Sequence, residues 1–110
     1  MSNNRLTAIA CKISEGVVSD ERAFEIELAD GNLHGGVAPV YYFWNQDGHR
    51  IGLREPTAGE EIQGKMAARL LERQNGTAMV SIPDGSVVRV QANALGERPT
   101  EVIIDVPVGP

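Results

Sequence analysis

The sequence predicts an all-β protein, a small barrel or sandwich of two three-stranded antiparallel meanders. Four dipeptides with turn chemistry separate segments rich in β-branched and apolar residues, and apolar residues alternate with polar ones along several of these segments. Asn, Asp and Gly tolerate the positive φ angles that tight hairpins need. The dipeptides are Asp30-Gly31, Asp47-Gly48, Asn75-Gly76 and Asp84-Gly85.

The first third of the chain is predicted to form one meander. Phe24, Ile26 and Leu28 alternate with glutamates, so an extended chain places the apolar side chains on one face and the acids on the other. The segment 32–38, after the first Asp-Gly turn, can return as the next strand. An apolar row at every second residue precedes both strands: Thr7, Ile9, Cys11 and Ile13.

The same order of elements recurs in the second half of the chain. Aligning Asp30-Gly31 with Asp84-Gly85 brings apolar residues of the two halves into register. The aligned pairs are Ile26 with Val80, Leu28 with Ile82, Leu33 with Val87, and Ala38 with Ala92. An internal duplication explains this pattern, and so does the chance alignment of two hairpins with Asp-Gly turns. Two such meanders could close over a common core and protect each other's edges.

The segment 58–74 is open to two interpretations. Apolar and polar residues alternate from Ile62 to Leu70, as in a strand, and the repeat also requires a strand there. A helix competes, because Thr57 with Glu60 resembles a capping box and residues 66–73 are good helix formers. Gly64 weakens the helix. The sequence therefore favours the strand and leaves an α+β fold with a helix at about 58–74 as the alternative.

Composition limits the classes of function. The formal net charge is −5, and the basic residues are scattered, so duplex nucleic acid and anionic membranes would be repelled. Cys11 is the only cysteine, which excludes an internal disulfide and favours the cytoplasm. No signal peptide or membrane span is expected. Residues 1–110 are interpreted as one domain with a last strand at 101–108.

Four aromatic residues follow one another at positions 41–44, and they are the strongest candidates for a functional site. In an extended strand Trp44 would face one way while Tyr41 and Phe43 face the other, so both faces cannot be solvated cheaply. Either the strand is buried on both faces and supplies core volume, or one aromatic face contacts a partner. If such a face exists, Tyr41, Phe43 and Trp44 are its predicted interaction residues.

Other residues suggest weaker alternatives. Aromatic side chains can stack unpaired bases, and Arg50, Arg54 and Lys65 could contact phosphates, but three scattered cations do not form a binding channel. His34 and His49 each follow an Asp-Gly turn and lack a third metal ligand, so we expect them to be exposed and to bind no metal. Cys11 is expected to be buried and unreactive, and no catalytic motif or cofactor site is present in the sequence.

The first hairpin is notably acidic. Its acids are Glu15, Asp20, Glu21, Glu25 and Glu27. Such a run is usually a solvated face that keeps an edge strand from promiscuous pairing, but it can also dock on a basic partner. The sequence thus predicts a non-catalytic acidic domain that acts through protein contacts, either self-association or membership of a larger assembly. A barrel that binds a small ligand or single-stranded nucleic acid is the alternative.

Overall fold

The computed structural model describes residues 5–52 and 55–97, which form a curled antiparallel sheet shaped as a half-barrel. The spatial order of its main strands is β3-β2-β1-β5-β6-β7. The predicted all-β class is therefore confirmed. The strands are β1 (Arg5–Glu15), β2 (Glu21–Glu27), β3 (Leu33–Pro39), β4 (Phe43–Asn45), β5 (Glu61–Gln74), β6 (Thr77–Ser81), β7 (Val87–Gln91) and β8 (Leu95–Gly96).

The predicted turn dipeptides connect these strands. Asn75 and Gly76 both have positive φ angles, 51° and 82°, and they join β5 to β6 in the two-residue hairpin that this dipeptide favours. Gly31 and Gly85 have φ angles of 89° and 92° in the two Asp-Gly turns. The two turns are also alike in their bonds, because each aspartate accepts the backbone N–H two residues further on, at 2.9 Å.

The two meanders, β1-β2-β3 and β5-β6-β7, are arranged alike. Each ends in a short 3₁₀ turn followed by a short strand: Val40–Tyr42 precedes β4, and Ala92–Ala94 precedes β8. β4 pairs with β5, and β8 pairs with β1. The short strand after each meander therefore pairs with the first strand of the other meander. The two first strands, β1 and β5, are themselves antiparallel partners.

The aligned residues of the two meanders share their environments at the centre of each hairpin. Ile26, Val80 and Ile82 are buried. The alignment fails at its end, where Ala38 lies in β3 but Ala92 lies in the second 3₁₀ turn. The reason is length, because β3 has 7 residues and β7 has 5.

Residues 61–74 form a strand, and the helical alternative at about 58–74 is wrong. The predicted capping pair exists, but it closes a turn: Glu60 Oε1 accepts the N–H of Thr57 at 3.0 Å and its hydroxyl at 3.1 Å. Gly59, inside this turn, has a φ of 79°, which an α-helix does not allow. Gly64 is required by the sheet, since a Cβ there would collide with the carbonyl oxygen of Trp44 and with Ile13 Cδ1.

The buried apolar side chains form one cluster between the two meanders. Arg22 is buried as well, and it donates to the backbone carbonyls of Ser19, Glu21, Gly52 and Glu55. These bonds satisfy a charged group that would otherwise be costly to bury. They also tie β2 to the loop that leads into β5. The predicted strand at 101–108 lies outside the described residues.

Candidate interaction surface

The aromatic run does not form a continuous strand. Its first residues lie in the 3₁₀ turn Val40–Tyr42, and only then does β4 begin. Phe43 and Trp44 have an exposed fraction of 0%, whereas that of Tyr41 is 44%. Of the two alternatives for the aromatic run, burial in the core describes Phe43 and Trp44, because both side chains belong to the buried apolar cluster. Tyr41 is the one predicted interaction residue at the surface.

The alternative of a base-stacking surface would have to do without Phe43 and Trp44, which are buried. The Trp44 indole is enclosed, and its Nε1 has no hydrogen-bond partner. Arg50 donates to the carbonyl oxygen of Tyr41 at 3.2 Å, and Lys65 is the Cα partner of Trp44 in the ladder between β4 and β5. Arg54 lies outside the described residues.

His34 differs from its predicted exposed position. Its Nε2 lies 3.0 Å from Asp84 Oδ2, and the two side chains are only 26% and 17% exposed. The His34 ring also lies over Phe24, with 6.2 Å between the ring centroids. The prediction failed because the curled sheet brings the β6–β7 turn of the second meander onto β3 of the first.

The environment of Asp84 favours its charged form. Burial raises the pKa of the carboxyl, but the backbone N–H of Ser86 and the side chains of His34 and Ser86 outweigh that effect. The pKa of Asp84 therefore lies below its ordinary value of 3.8. The carboxylate also lies close to β3, since a Cβ at Gly36 would be 2.7 Å from Asp84 Oδ2. Glycine at position 36 makes this approach possible.

The other candidate chemical groups do not come together. Cys11 is 4% exposed, and burial raises the pKa of its thiol to about 12, so the reactive thiolate is scarce at neutral pH. His49 is exposed beside the Asn45–Gly48 turn, where the Asn45 side chain accepts the N–H groups of Asp47 and His49. Within residues 5–52 and 55–97 no group of three His, Cys, Asp or Glu side chains could hold a metal ion.

The outer edge of the second meander is contacted by the β2–β3 turn at Arg89 and Gln91. In the β6–β7 ladder, opposite residues alternate between pairs that share backbone hydrogen bonds and pairs that do not. Arg89 belongs to a pair without such bonds, so its backbone N–H and C=O point away from β6. The carbonyl of Arg89 accepts the N–H of Ala29, from the β2–β3 turn, at 2.9 Å. Gln91 Nε2 donates to the carbonyl of Ala29 at 3.0 Å.

Within residues 5–52 and 55–97, the outer edge of the first meander is open. Leu28 donates its N–H to Asn32, and Val40 donates its N–H to Asp20. Because hydrogen-bonded and non-bonded pairs alternate along an antiparallel ladder, these two bonds show which β2–β3 pairs are hydrogen-bonded. By this alternation, the backbone N–H and C=O groups of Leu33, Gly35 and Val37 point away from β2. In the described part of the chain no strand pairs with that side of β3. We call these three residues the β3 edge.

A proline explains why the β3 edge is not covered in the same way. In the alignment of the two Asp-Gly turns, Ala29 corresponds to Pro83 and Arg89 corresponds to Gly35. Ala29 donates its N–H to Arg89, but proline has no N–H to donate. The contact between the β6–β7 turn and β3 is made by the side chains of Asp84 and His34 instead.

Apolar side chains accompany this open edge. Leu33 is 63% exposed and Val37 is 38% exposed, and both lie on the outer face of the sheet. Tyr41 follows in the 3₁₀ turn at the end of the same strand. Leu33 and Val37 were not among the residues predicted from the sequence to contact a partner. A usable signal was present, because the stretch from Leu33 to Pro39 contains neither Lys, Arg, Asp nor Glu and ends in a proline, which is tolerated at sheet edges.

A cleft of about 500 Å³ lies elsewhere, where β1, β5 and β8 meet. Its charged lining residues are Arg73 and Glu97, and the rest of the lining is Leu6, Thr7, Leu70, Leu95 and Gly96. None of the helices in residues 5–52 and 55–97 has the length and apolar character needed to cross a bilayer.

Comparison of the chain with family models, curated proteins and solved structures gives no match.

Proposed function

We propose that this protein is a non-catalytic acidic β domain that acts through protein contacts, and that the β3 edge with Tyr41 is the contact site. The observation that carries the proposal is the open edge with its exposed apolar side chains. An unpaired edge offers a row of backbone donors and acceptors to an incoming strand, and alternate side chains add specificity. The occupant would be a second copy of the chain or another member of an assembly.

The distribution of charge supports this choice of edge. Soluble proteins commonly protect exposed edges with lysine, proline or an inward charge. β7 has such protection from Arg89, which also lies 3.3 Å from Glu72. β3 has a proline only at its end, Pro39, and its open row from Leu33 to Val37 has an apolar residue at each end, glycine between them and no charged side chain. An edge left in this condition is expected where pairing is functional.

The proposal also includes the cytoplasm as the compartment, because the only cysteine in the sequence is a buried thiol and no disulfide stabilises the fold. It does not include nucleic acid, since the net charge of −5 opposes binding to phosphates and the buried aromatic pair cannot stack on bases. It requires no cofactor and no metal.

The experiment is a comparison of two matched substitutions. Val37 on the β3 edge and Val87 on β7 have almost the same exposure, 38% and 37%. We expect Val37→Lys to abolish association because the lysine blocks strand pairing on β3, and Val87→Lys to leave it intact. Association is measured by size-exclusion chromatography with light scattering, and by fluorescence anisotropy of labelled extended peptides.

Circular dichroism of both variants verifies that each is folded. Equal loss of association in the two variants would show that the site is not the β3 edge. A wild-type protein that stays monomeric at high concentration and binds none of the peptides would refute the proposal as a whole.

A further inference from the structure

We propose that the β3 edge recognises an extended basic segment of another protein, rather than a second copy of this chain. The inference rests on the proposed function and goes further, because it names the chemistry of the partner. The segment would have a lysine or arginine opposite Gly35 and apolar residues opposite Leu33 and Val37.

The strand next to the β3 edge, β2, carries negative charge. On β2, three glutamates are the Cα partners of β3 residues: Glu21 of Pro39, Glu25 of Gly35, and Glu27 of Leu33. Side chains of paired residues share a face of the sheet, so these acids lie on the outer face together with Leu33 and Val37. Lys12 is the Cα partner of Glu25 on the β1 side. Three acids with one cation leave the outer face of this hairpin negative.

Gly35, between Leu33 and Val37, leaves room for a charge pair across β3. Gly35 has no side chain, so nothing on β3 separates Glu25 from a residue on an added strand. Strands lie about 4.8 Å apart, which places the Cα of that residue roughly 10 Å from the Cα of Glu25. The extended side chains of a glutamate and an arginine or lysine together bridge such a distance. An added strand can therefore pair its backbone with β3 and its cation with Glu25.

Charge repulsion opposes pairing of the β3 edge with a second copy of the chain. A symmetric antiparallel pair centred on Gly35 would set Leu33 of each copy opposite Val37 of the other. Both Glu25 side chains would then share one face with only glycine between them, and the two other glutamates of each β2 would lie nearby. Each chain also carries a net charge of −5. Like charges at this spacing oppose the pairing, whereas a basic segment removes the conflict.

The probe is a fluorescein-labelled nine-residue peptide, Ser-Thr-Val-Thr-Arg-Thr-Val-Thr-Ser, and its counterpart with glutamate in place of arginine. We expect the arginine peptide to bind about ten-fold more tightly at low salt, since one peptide gains a charge pair and the other meets repulsion. The preference should shrink as salt is raised. Fluorescence anisotropy measures both affinities.

Two variants locate the origin of the preference. Glu25→Gln should weaken the arginine peptide about three-fold to five-fold, the size of an exposed ion pair, and leave the glutamate peptide unchanged or slightly tighter. Glu72→Gln removes an equal charge from β5 of the second meander and should change neither affinity. Val37→Lys should remove the binding of the arginine peptide, because the lysine adds a like charge and takes away an apolar contact.

The outcomes separate this inference from the proposed function. Binding that is lost in Val37→Lys but shows no preference for arginine, or an equal preference in Glu25→Gln, overturns the inference and leaves the proposed function standing. A wild-type dimer that Val37→Lys converts to monomer also overturns it, in favour of self-association. Absence of binding by either peptide, with a monomeric wild type, overturns both.

Discussion

The outer strands β3 and β7 hold the same place in the two meanders, yet the turns that contact them do so by different chemistry. At β7 the contact is a backbone hydrogen bond from Ala29 to Arg89, supported by the Gln91 side chain. At β3 the corresponding turn carries Pro83, so only the Asp84 and His34 side chains make contact. Among the described residues, the missing N–H of Pro83 accounts for the absence at β3 of the backbone bond that Ala29 makes to β7.

The difference also separates two kinds of interaction. A bond between backbone groups is independent of pH, whereas the Asp84–His34 pair depends on the charge of the aspartate. The β3 contact is made on the inner face of its strand, over Gly36, and leaves the outward backbone groups of the β3 edge unpaired. The first meander is thereby held to the second without losing its capacity to pair with another strand.

Hydrogen exchange should show the largest contrast. The amides of His34 and Gly36 point toward β2, so we expect protection of about a thousand-fold or more, together with Ala29, whose N–H is held by Arg89. The amides of Gly35 and Val37 point away from β2 and should exchange almost as fast as in an unstructured chain. Exchange followed by NMR measures this, and slow exchange at Gly35 and Val37 would contradict the open edge.

The Gly36→Ala substitution should have the largest energetic effect. The new Cβ would lie 2.7 Å from Asp84 Oδ2 and 2.8 Å from Phe24 Cζ, and the Phe24 ring is enclosed in the core. We expect a loss of about 1 to 3 kcal/mol in the free energy of unfolding, measured by urea denaturation. Gly35→Ala is the control, because its Cβ would meet nothing closer than 3.5 Å. Equal losses in the two variants would rule out this account of the turn's approach to β3.

The Asp84→Asn substitution tests the side-chain contact and its pH dependence. Asp30→Asn is the control, since both aspartates accept a backbone N–H in their turns but only Asp84 contacts His34. At neutral pH we expect Asp84→Asn to lower the free energy of unfolding by about 1 kcal/mol more than the control does.

The sign of the pH effect follows from the lowered pKa of Asp84. The stabilisation by the carboxylate is fully present above the ordinary pKa of 3.8 and is lost as the pH falls through the lower pKa of the folded state. The difference between wild type and Asp84→Asn should therefore vanish in strong acid. A difference that is constant down to acid pH would mean that charge is not its origin.

Removing the Gln91 side chain should have the smallest effect. Its amide donates to the carbonyl of Ala29 at an exposed position, so Gln91→Ala should cost about 0.5 kcal/mol in thermal or urea denaturation. The backbone bond between Ala29 and Arg89 remains in this variant. Gln74→Ala, at an exposed end of β5, serves as the control. A loss well above this value would mean that the side chain, and not the backbone bond, closes the β7 edge.

Much of the fold could be predicted because its signals are local. A dipeptide such as Asn75-Gly76 has the backbone freedom for a hairpin whatever surrounds it, and alternation around Ile26 marks a buried face from the period of a strand. The choice of strand over helix at 61–74 was correct because the repeat and Gly64 both favoured it. The capping pattern of Thr57 and Glu60 misled because the same two side chains can also close a turn.

The candidate site could not be predicted in the same way. Burial of Phe43 and Trp44 depended on how the curled sheet encloses the apolar cluster, and the strand that pairs with β4, β5, is about twenty residues away in the chain. The partner of His34 is fifty residues away, at Asp84. Alternation along one segment gives the two faces of a strand, but it does not say which neighbour occupies each face.

By itself, the sequence determined the strand-rich class, the positions of the turns, the acidic charge and the buried state of Cys11, since each follows from local backbone preference or from composition. Only the tertiary structure decided that Phe43 and Trp44 supply core volume and that, among the described residues, β3 is the open edge. The physical reason is that burial and edge pairing depend on which distant strands become neighbours. Here the curling of the sheet places the β6–β7 turn on β3 and the β2–β3 turn on β7.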